Sequence, residues 1–234
     1  MSRVAANLSL VAGGGGRSGE KRANFSELGE GWTLPCAPQP TLSELFAAHP
    51  RDSGWVGFLL AQVATGKPLL WVQERMAILE SGRIHPPGLP MQNLIHVETR
   101  DARDALWAME EGLRCAGLSA VIGEIWGDPR ALDFTATRRL AVASERSGVA
   151  AFLIRLGGHA NLSGARMRWR IASAPSLAND LDPKAPGLPV WDAELFRARG
   201  MPPGRWDIAY ETDRFHLVAG TGGRTLGEER RLRA

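Results

Sequence analysis

Cysteine is nearly missing: Cys36 and Cys115 are the only two in 234 residues. Two thiols so far apart make neither a disulfide framework nor a zinc site. Both are read as reduced and packed against apolar neighbours. Lysine is scarce too, confined to Lys21, Lys67 and Lys184. The positive charge is therefore arginine, which grips carboxylates and phosphates in a fixed two-pronged geometry. With 28 basic and 25 acidic residues the net charge is only +3. That allows a local basic patch without defining a nucleic-acid binder. No run approaches the roughly 18–20 apolar residues that span a bilayer. The apolar stretch near Met1 is about five residues, too short for a secretory signal. A cytoplasmic protein with no membrane partner is expected. His49, His85, His96, His159 and His216 are scattered without metal-ligand spacing, and no GxSxG string occurs. The sequence calls for no metal, no cofactor and no catalytic triad.

Length and hydrophobic content suit one α/β domain with tails. Residues 1–31 are polar and glycine-rich, too poor in apolar surface to offset the entropy of ordering, and are read as a flexible tail. Their GGGGRSGEK string hints at a phosphate loop and fails, because Gly19 is followed by Glu20 and no strand precedes it. A domain is expected over 32–220, then a basic tail over 221–234. Within the domain, strands are predicted at Leu42–Ala47, Pro68–Val72, Leu94–Val97, Ala120–Trp126 and Val149–Leu156. Helices are predicted over Ser53–Thr65, Glu74–Glu80, Asp101–Ala116 and Leu132–Ser147, with His85–Pro90 as a loop. Asp101 is placed to cap the third helix, and Ala105, Leu106, Met109 and Leu113 form its buried stripe. Such alternation implies a mostly parallel sheet flanked by helices. Later, Arg166, Arg168 and Arg170 alternate with Met167, Trp169 and Ile171, the period of a half-exposed strand. Asp180–Val190 is a Pro-rich connection. Arg205–Tyr210 and Phe215–Ala219 flank Glu211-Thr212-Asp213-Arg214 as a hairpin, so antiparallel strands extend the sheet at its C-terminal end.

The turn between the first strand and the first helix is where a phosphate-binding loop would sit. Such a loop needs glycines for close approach, a lysine for the phosphates and a hydroxyl for magnesium. Here Ser53 and Gly54 remain, but Trp55 stands at the lysine position and Val56 at the hydroxyl position. Neither can grip a triphosphate, so ATP hydrolysis is not expected. On spacing alone this is equally a strand-to-helix turn of an unrelated α/β protein.

Several strings in order narrow the choice. They are LWV at Leu70–Val72, GRIHPPGL at Gly82–Leu89, DALWAMEEGLR at Asp104–Arg114, VIGEIWG at Val121–Gly127, ARMRWRI at Ala165–Ile171 and RARGMPPGRWDIAYE at Arg197–Glu211. Together they resemble the ImuA family, which is itself similar to RecA. The resemblance covers roughly residues 40–220. It implies a RecA-like core and an accessory role in SOS-induced translesion mutagenesis. It implies as partners a Y-family polymerase-like mutasome subunit and an error-prone replicative polymerase α-subunit homologue, with RecA and single-stranded DNA as further candidates and nucleoid association when engaged. By position it makes Glu74 a remnant of the catalytic acid and Glu124 a remnant of the magnesium-linked acid. The plainer alternative is that Glu74 caps a helix and Glu124 ends a strand.

Arg166, Arg168 and Arg170 could meet phosphates or an acidic partner, or could pair with neighbouring carboxylates. Arg230, Arg231 and Arg233 form a basic docking element in the tail. Trp55, Trp107 and Trp169 are expected in the core or at its edge, whereas an exposed tryptophan would mark an interface hot spot. Two other functions share the same frame: a SulA-like inhibitor of cell division, and a DNA-binding recombinase paralogue.

Overall fold

The computed structural model describes residues 32–64, 66–89, 93–179, 181–182, 184–211 and 213–218. The glycine-rich segment before Trp32 and the basic segment with Arg230, Arg231 and Arg233 lie outside the described residues.

Among the described residues, nine strands form one sheet. They are β1 (Leu42–Ala47), β2 (Leu69–Glu74), β3 (Leu94–Thr99), β4 (Ala120–Trp126), β5 (Ala150–Leu156), β6 (Met167–Ala174), β7 (Val190–Ala198), β8 (Gly204–Glu211) and β9 (Arg214–Leu217). Their order across the sheet is β3-β2-β4-β5-β1-β6-β7-β8-β9. The first six are mutually parallel, and β7, β8 and β9 each add antiparallel to the strand before. The expected architecture of a mostly parallel sheet with an antiparallel C-terminal extension is what the chain adopts.

Among the described residues four α-helices cover the sheet: α1 (Gly54–Leu60), α2 (Arg75–Ser81), α3 (Ala102–Leu113) and α4 (Phe134–Ser147). Strands buried on both faces read as near-continuous apolar runs, as in Ala120–Ile122 and Ala151–Ile154. On one face α1 packs Trp55, Phe58 and Leu59 over Trp71, Ile122, Ile154, Trp169 and Trp191. Phe58 is the hub, with its ring 5.3 Å from Trp169 and 5.6 Å from Phe215. On the other face α3 and α4 close over Leu70, Val72, Val121, Ile125 and Leu153.

Local signals explain the helix ends. The Asp101 carboxylate accepts from Asp104 N at 3.0 Å and the Asp133 carboxylate from Ala136 N at 2.7 Å, each satisfying a free first-turn amide. Gly148 takes φ 74° at the end of α4, a left-handed stop that a side chain disfavours. α1 is shorter than the predicted 53–65 span. Beyond Leu60 the chain tightens into three-residue bonds, Gln62 N to Leu59 O and Val63 N to Leu60 O, and the helix ends there.

Three expectations are corrected. Val190–Ala198 is a full strand, hidden in the sequence behind its Pro-rich lead-in. Trp107 is 64% exposed. The buried stripe of α3 runs through Ala102, Ala105, Leu106, Met109 and Leu113, and at about 100° per residue position 107 falls on the opposite side. Both cysteines are free but exposed: Cys115 lies in the turn after α3 and Cys36 in the segment before β1, each off the packed faces.

Candidate functional site

The loop from β1 to α1 overhangs a cleft of about 300 Å³ on the α1–α2 face, near the carboxyl ends of β2 and β4. Open parallel sheets place ligands at this end of their strands. Its walls include Trp55, Val56, Trp71, Ile84 and Leu89, and Glu124 lies at its base.

The start of α1 satisfies itself. Asp52 Oδ1 accepts from Gly54 N at 2.9 Å and from Ser173 Oγ at 2.6 Å, and Asp52 Oδ2 accepts from Ser173 N at 2.7 Å. Partial burial works to raise the Asp52 pKa, but the bonds from Ser173 and Gly54 outweigh it and hold the carboxyl below the usual range. A carboxylate therefore takes up the donors around the start of α1. Gly54 is required here for close approach, since a Cβ would sit 2.4 Å from Ser173 Oγ. Trp55 is 5% exposed, its ring 6.1 Å from that of Trp71. The indole is part of the core.

Parallel register sets Gln73 of β2 beside Glu124 of β4. Glu124 is 3% exposed. Its Oε1 accepts from Trp71 Nε1, and its Oε2 accepts from Gln73 Nε2 at 3.1 Å. The Gln73 carboxamide is itself oriented, with its oxygen accepting from Ile84 N and facing His96 Nε2, both at 3.0 Å. Burial pushes the Glu124 carboxyl up to about 7, against the Gln73 and Trp71 bonds that pull it down. Glu74 does not join the cleft. It occupies the cap position of α2 without a side-chain capping bond, and its Oε2 accepts from Trp126 N at 2.9 Å. Burial also raises its pKa. Of the sequence-predicted residues, Ser53, Trp55, Val56 and Glu124 meet around one cleft with Gly54 at its edge, and Glu74 stands apart. Asp52, Trp71 and Gln73 were not singled out by the sequence. The Asp-Ser-Gly run, an aspartate two residues before a glycine, was the one signal that could have flagged Asp52.

A raised carboxyl has a defined stability signature. The unfolded chain releases the Glu124 proton near pH 4.5 while the native state keeps it to about 7. Its contribution therefore falls as pH rises through that window, by up to roughly 3 kcal/mol, and is flat above it. Glu74 adds a fall of the same sign. Urea unfolding of the wild type and of Glu124→Gln at pH 5 and pH 8 isolates the Glu124 part. The variant should lose less stability between the two pH values, and equal losses would count against the assignment.

Each of the three arginines Arg166, Arg168 and Arg170 meets a carboxylate. Arg166 Nε meets Glu145 at 2.7 Å and Arg170 Nη1 meets Glu194 at 2.5 Å. Arg168 departs from the half-exposed pattern: it is 3% exposed, and its Nε donates to the wholly buried Glu44 at 2.7 Å. The rings of Phe46 and Phe196 flank it, with its guanidinium 5.3 Å from each ring centroid. Arg155, also buried, lies 3.8 Å from Glu44 and 2.5 Å from Asp128. Burial draws Arg155 below the usual guanidinium range, against Glu44 and Asp128. No group of three or more metal-binding side chains occurs among the described residues. Among them, no helix is long and apolar enough to cross a membrane.

Fold and cleft together define a crossover-connected parallel α/β protein with a closed loop over its strand ends. No family model matches the chain. It is 35% identical over 151 residues to the ImuA proteins of Caulobacter vibrioides strains NA1000 / CB15N and ATCC 19089 / CIP 103742 / CB 15, a match covering 60% of this chain. Over that stretch the chain is similar to these ImuA proteins. It spans 59% of the length of these curated relatives.

Proposed function

We propose that the domain over 32–220 is a RecA-like accessory protein of damage-induced mutagenesis that binds partners and does not hydrolyse ATP. One observation carries this reading: Asp52 and Trp55 fill the turn where a triphosphate and its lysine would meet. Val56 offers no hydroxyl to magnesium. Ser53, Gly54, Trp55, Val56, Glu74 and Glu124 are then what is left of a nucleotide site. The separation of Glu74 from the cleft fits, because an acid with no positioned substrate has nothing to act on. The likeness to the ImuA proteins supplies the mutagenesis setting. The partners are a Y-family polymerase-like subunit and an error-prone replicative polymerase, with RecA as a further one. The exposed indole of Trp107 suits such a role, since tryptophans anchor protein interfaces. The pairing of Arg166, Arg168 and Arg170 with glutamates weighs against single-stranded DNA as the main ligand.

Tagged full-length protein recovered from DNA-damaged cells should bring polymerase subunits with it. Recovery of the division tubulin alone would favour the SulA-like role. ATP turnover by the purified chain that Glu74→Gln abolishes would overturn the non-catalytic reading.

A further inference from the structure

The cleft holds a buried carboxyl group that no cationic side chain among the described residues pairs with. Both oxygens of Glu124 accept from neutral donors, Trp71 Nε1 and Gln73 Nε2. Among the described residues no arginine, lysine or histidine forms an ion pair with it. A carboxylate has room for about four hydrogen bonds, so each oxygen can accept one more. The walls beside it are two indoles, Trp55 and Trp71, tilted by 48°, together with Val56, Ile84 and Leu89.

That lining selects by chemistry. A phosphate would meet the Asp52 and Glu124 carboxylates. A purely apolar group would leave Glu124 uncompensated. A guanidinium meets each demand: its flat face stacks on indoles, its N–H groups suit the open lone pairs of a carboxylate, and its methylene stem lies along apolar walls. The mouth does not forbid entry. Arg83 there is paired with Glu98, and Asp52 is tied to Ser173 and Gly54. Arg51 and His85 also line the cleft and favour a long side chain that places its charge beyond them.

We infer that the cleft binds an arginine side chain presented by a peptide, with Glu124 as its counter-ion and Trp55 and Trp71 as its aromatic walls. This rests on the reading that the cleft no longer serves a nucleotide. The arginine has two possible sources, the chain's own Arg230, Arg231 and Arg233 or another protein.

The probe is N-acetyl-arginine amide, titrated into full-length protein by calorimetry and tryptophan emission. Saturable binding is expected with a dissociation constant of about 1 mM or tighter, weakened about tenfold or more by Glu124→Gln. The uncharged N-acetyl-norleucine amide should not bind. A full-length variant with Arg230, Arg231 and Arg233 all changed to alanine separates the sources. Tighter probe binding by that variant assigns the site to the chain's own arginines, and unchanged binding assigns it to another molecule. Failure of the arginine probe to saturate, or equal binding by Glu124→Gln and by the wild type, overturns the inference. ATP is titrated in parallel. Its saturable binding would instead overturn the nucleotide reading, so the two failures are told apart.

Discussion

Changing Glu44 to alanine is expected to lower stability by about 3–5 kcal/mol, measured by urea unfolding at neutral pH. Glu44 has no exposed surface, and two buried guanidiniums face it. Arg155 keeps Asp128 in the variant, but Arg168 loses its carboxylate and stays enclosed by Phe46 and Phe196. The cost is that of leaving a charge out of water without a partner. It is not the net worth of the ion pair. The contrast lies in a paired replacement. Glu44→Leu with Arg168→Met removes both charges at similar volume, and stability should return to within about 1–2 kcal/mol of the wild type. A loss below about 1 kcal/mol in Glu44→Ala would mean that water reaches Arg168, and the buried description would be wrong.

Trp55→Ala should cost about 3–5 kcal/mol by the same measurement, the range for truncating a buried aromatic. The indole is 5% exposed and packs beside Trp71 in the cluster that joins α1 to the sheet. The functional companion is the double variant Trp55→Lys with Val56→Thr, which supplies the side chains that a phosphate loop would need. It should still show no ATP turnover, because Asp52 keeps its bonds to Gly54 and Ser173. Turnover in that variant would show that the two side chains were the whole obstacle.

What could be read from the sequence followed the range of the forces involved. α3 was legible because its cap, Asp101, its stripe and its end are all local. Strands β1 and β4 were legible as short apolar runs between turn signals. β7 was not: its inward Trp191, Ala193 and Leu195 alternate with Asp192 and Glu194, but the preceding proline and glycine residues masked the start. That Trp55 and Val56 offer neither an ammonium nor a hydroxyl could be read directly, whereas the cleft itself could not. It depends on parallel register that sets Gln73 beside Glu124 across 51 residues, and no local pattern carries that information. Arg168 looked like its neighbours Arg166 and Arg170 because period two reports only which side of a strand a residue takes. Whether that side is wet depends on what covers it, here the rings of Phe46 and Phe196.

Strand β1 sits in the middle of the sheet, between β5 and β6. Its partners are Ala151–Arg155 on one edge and Met167–Ile171 on the other. On the ribosome, therefore, the first core strand is made long before either neighbour exists. Leu42, Leu45 and Phe46 have no sheet to enter until more than a hundred further residues have been translated. Nascent chains of this protein would be good clients for a holdase, and premature termination upstream of β5 would release a sticky fragment.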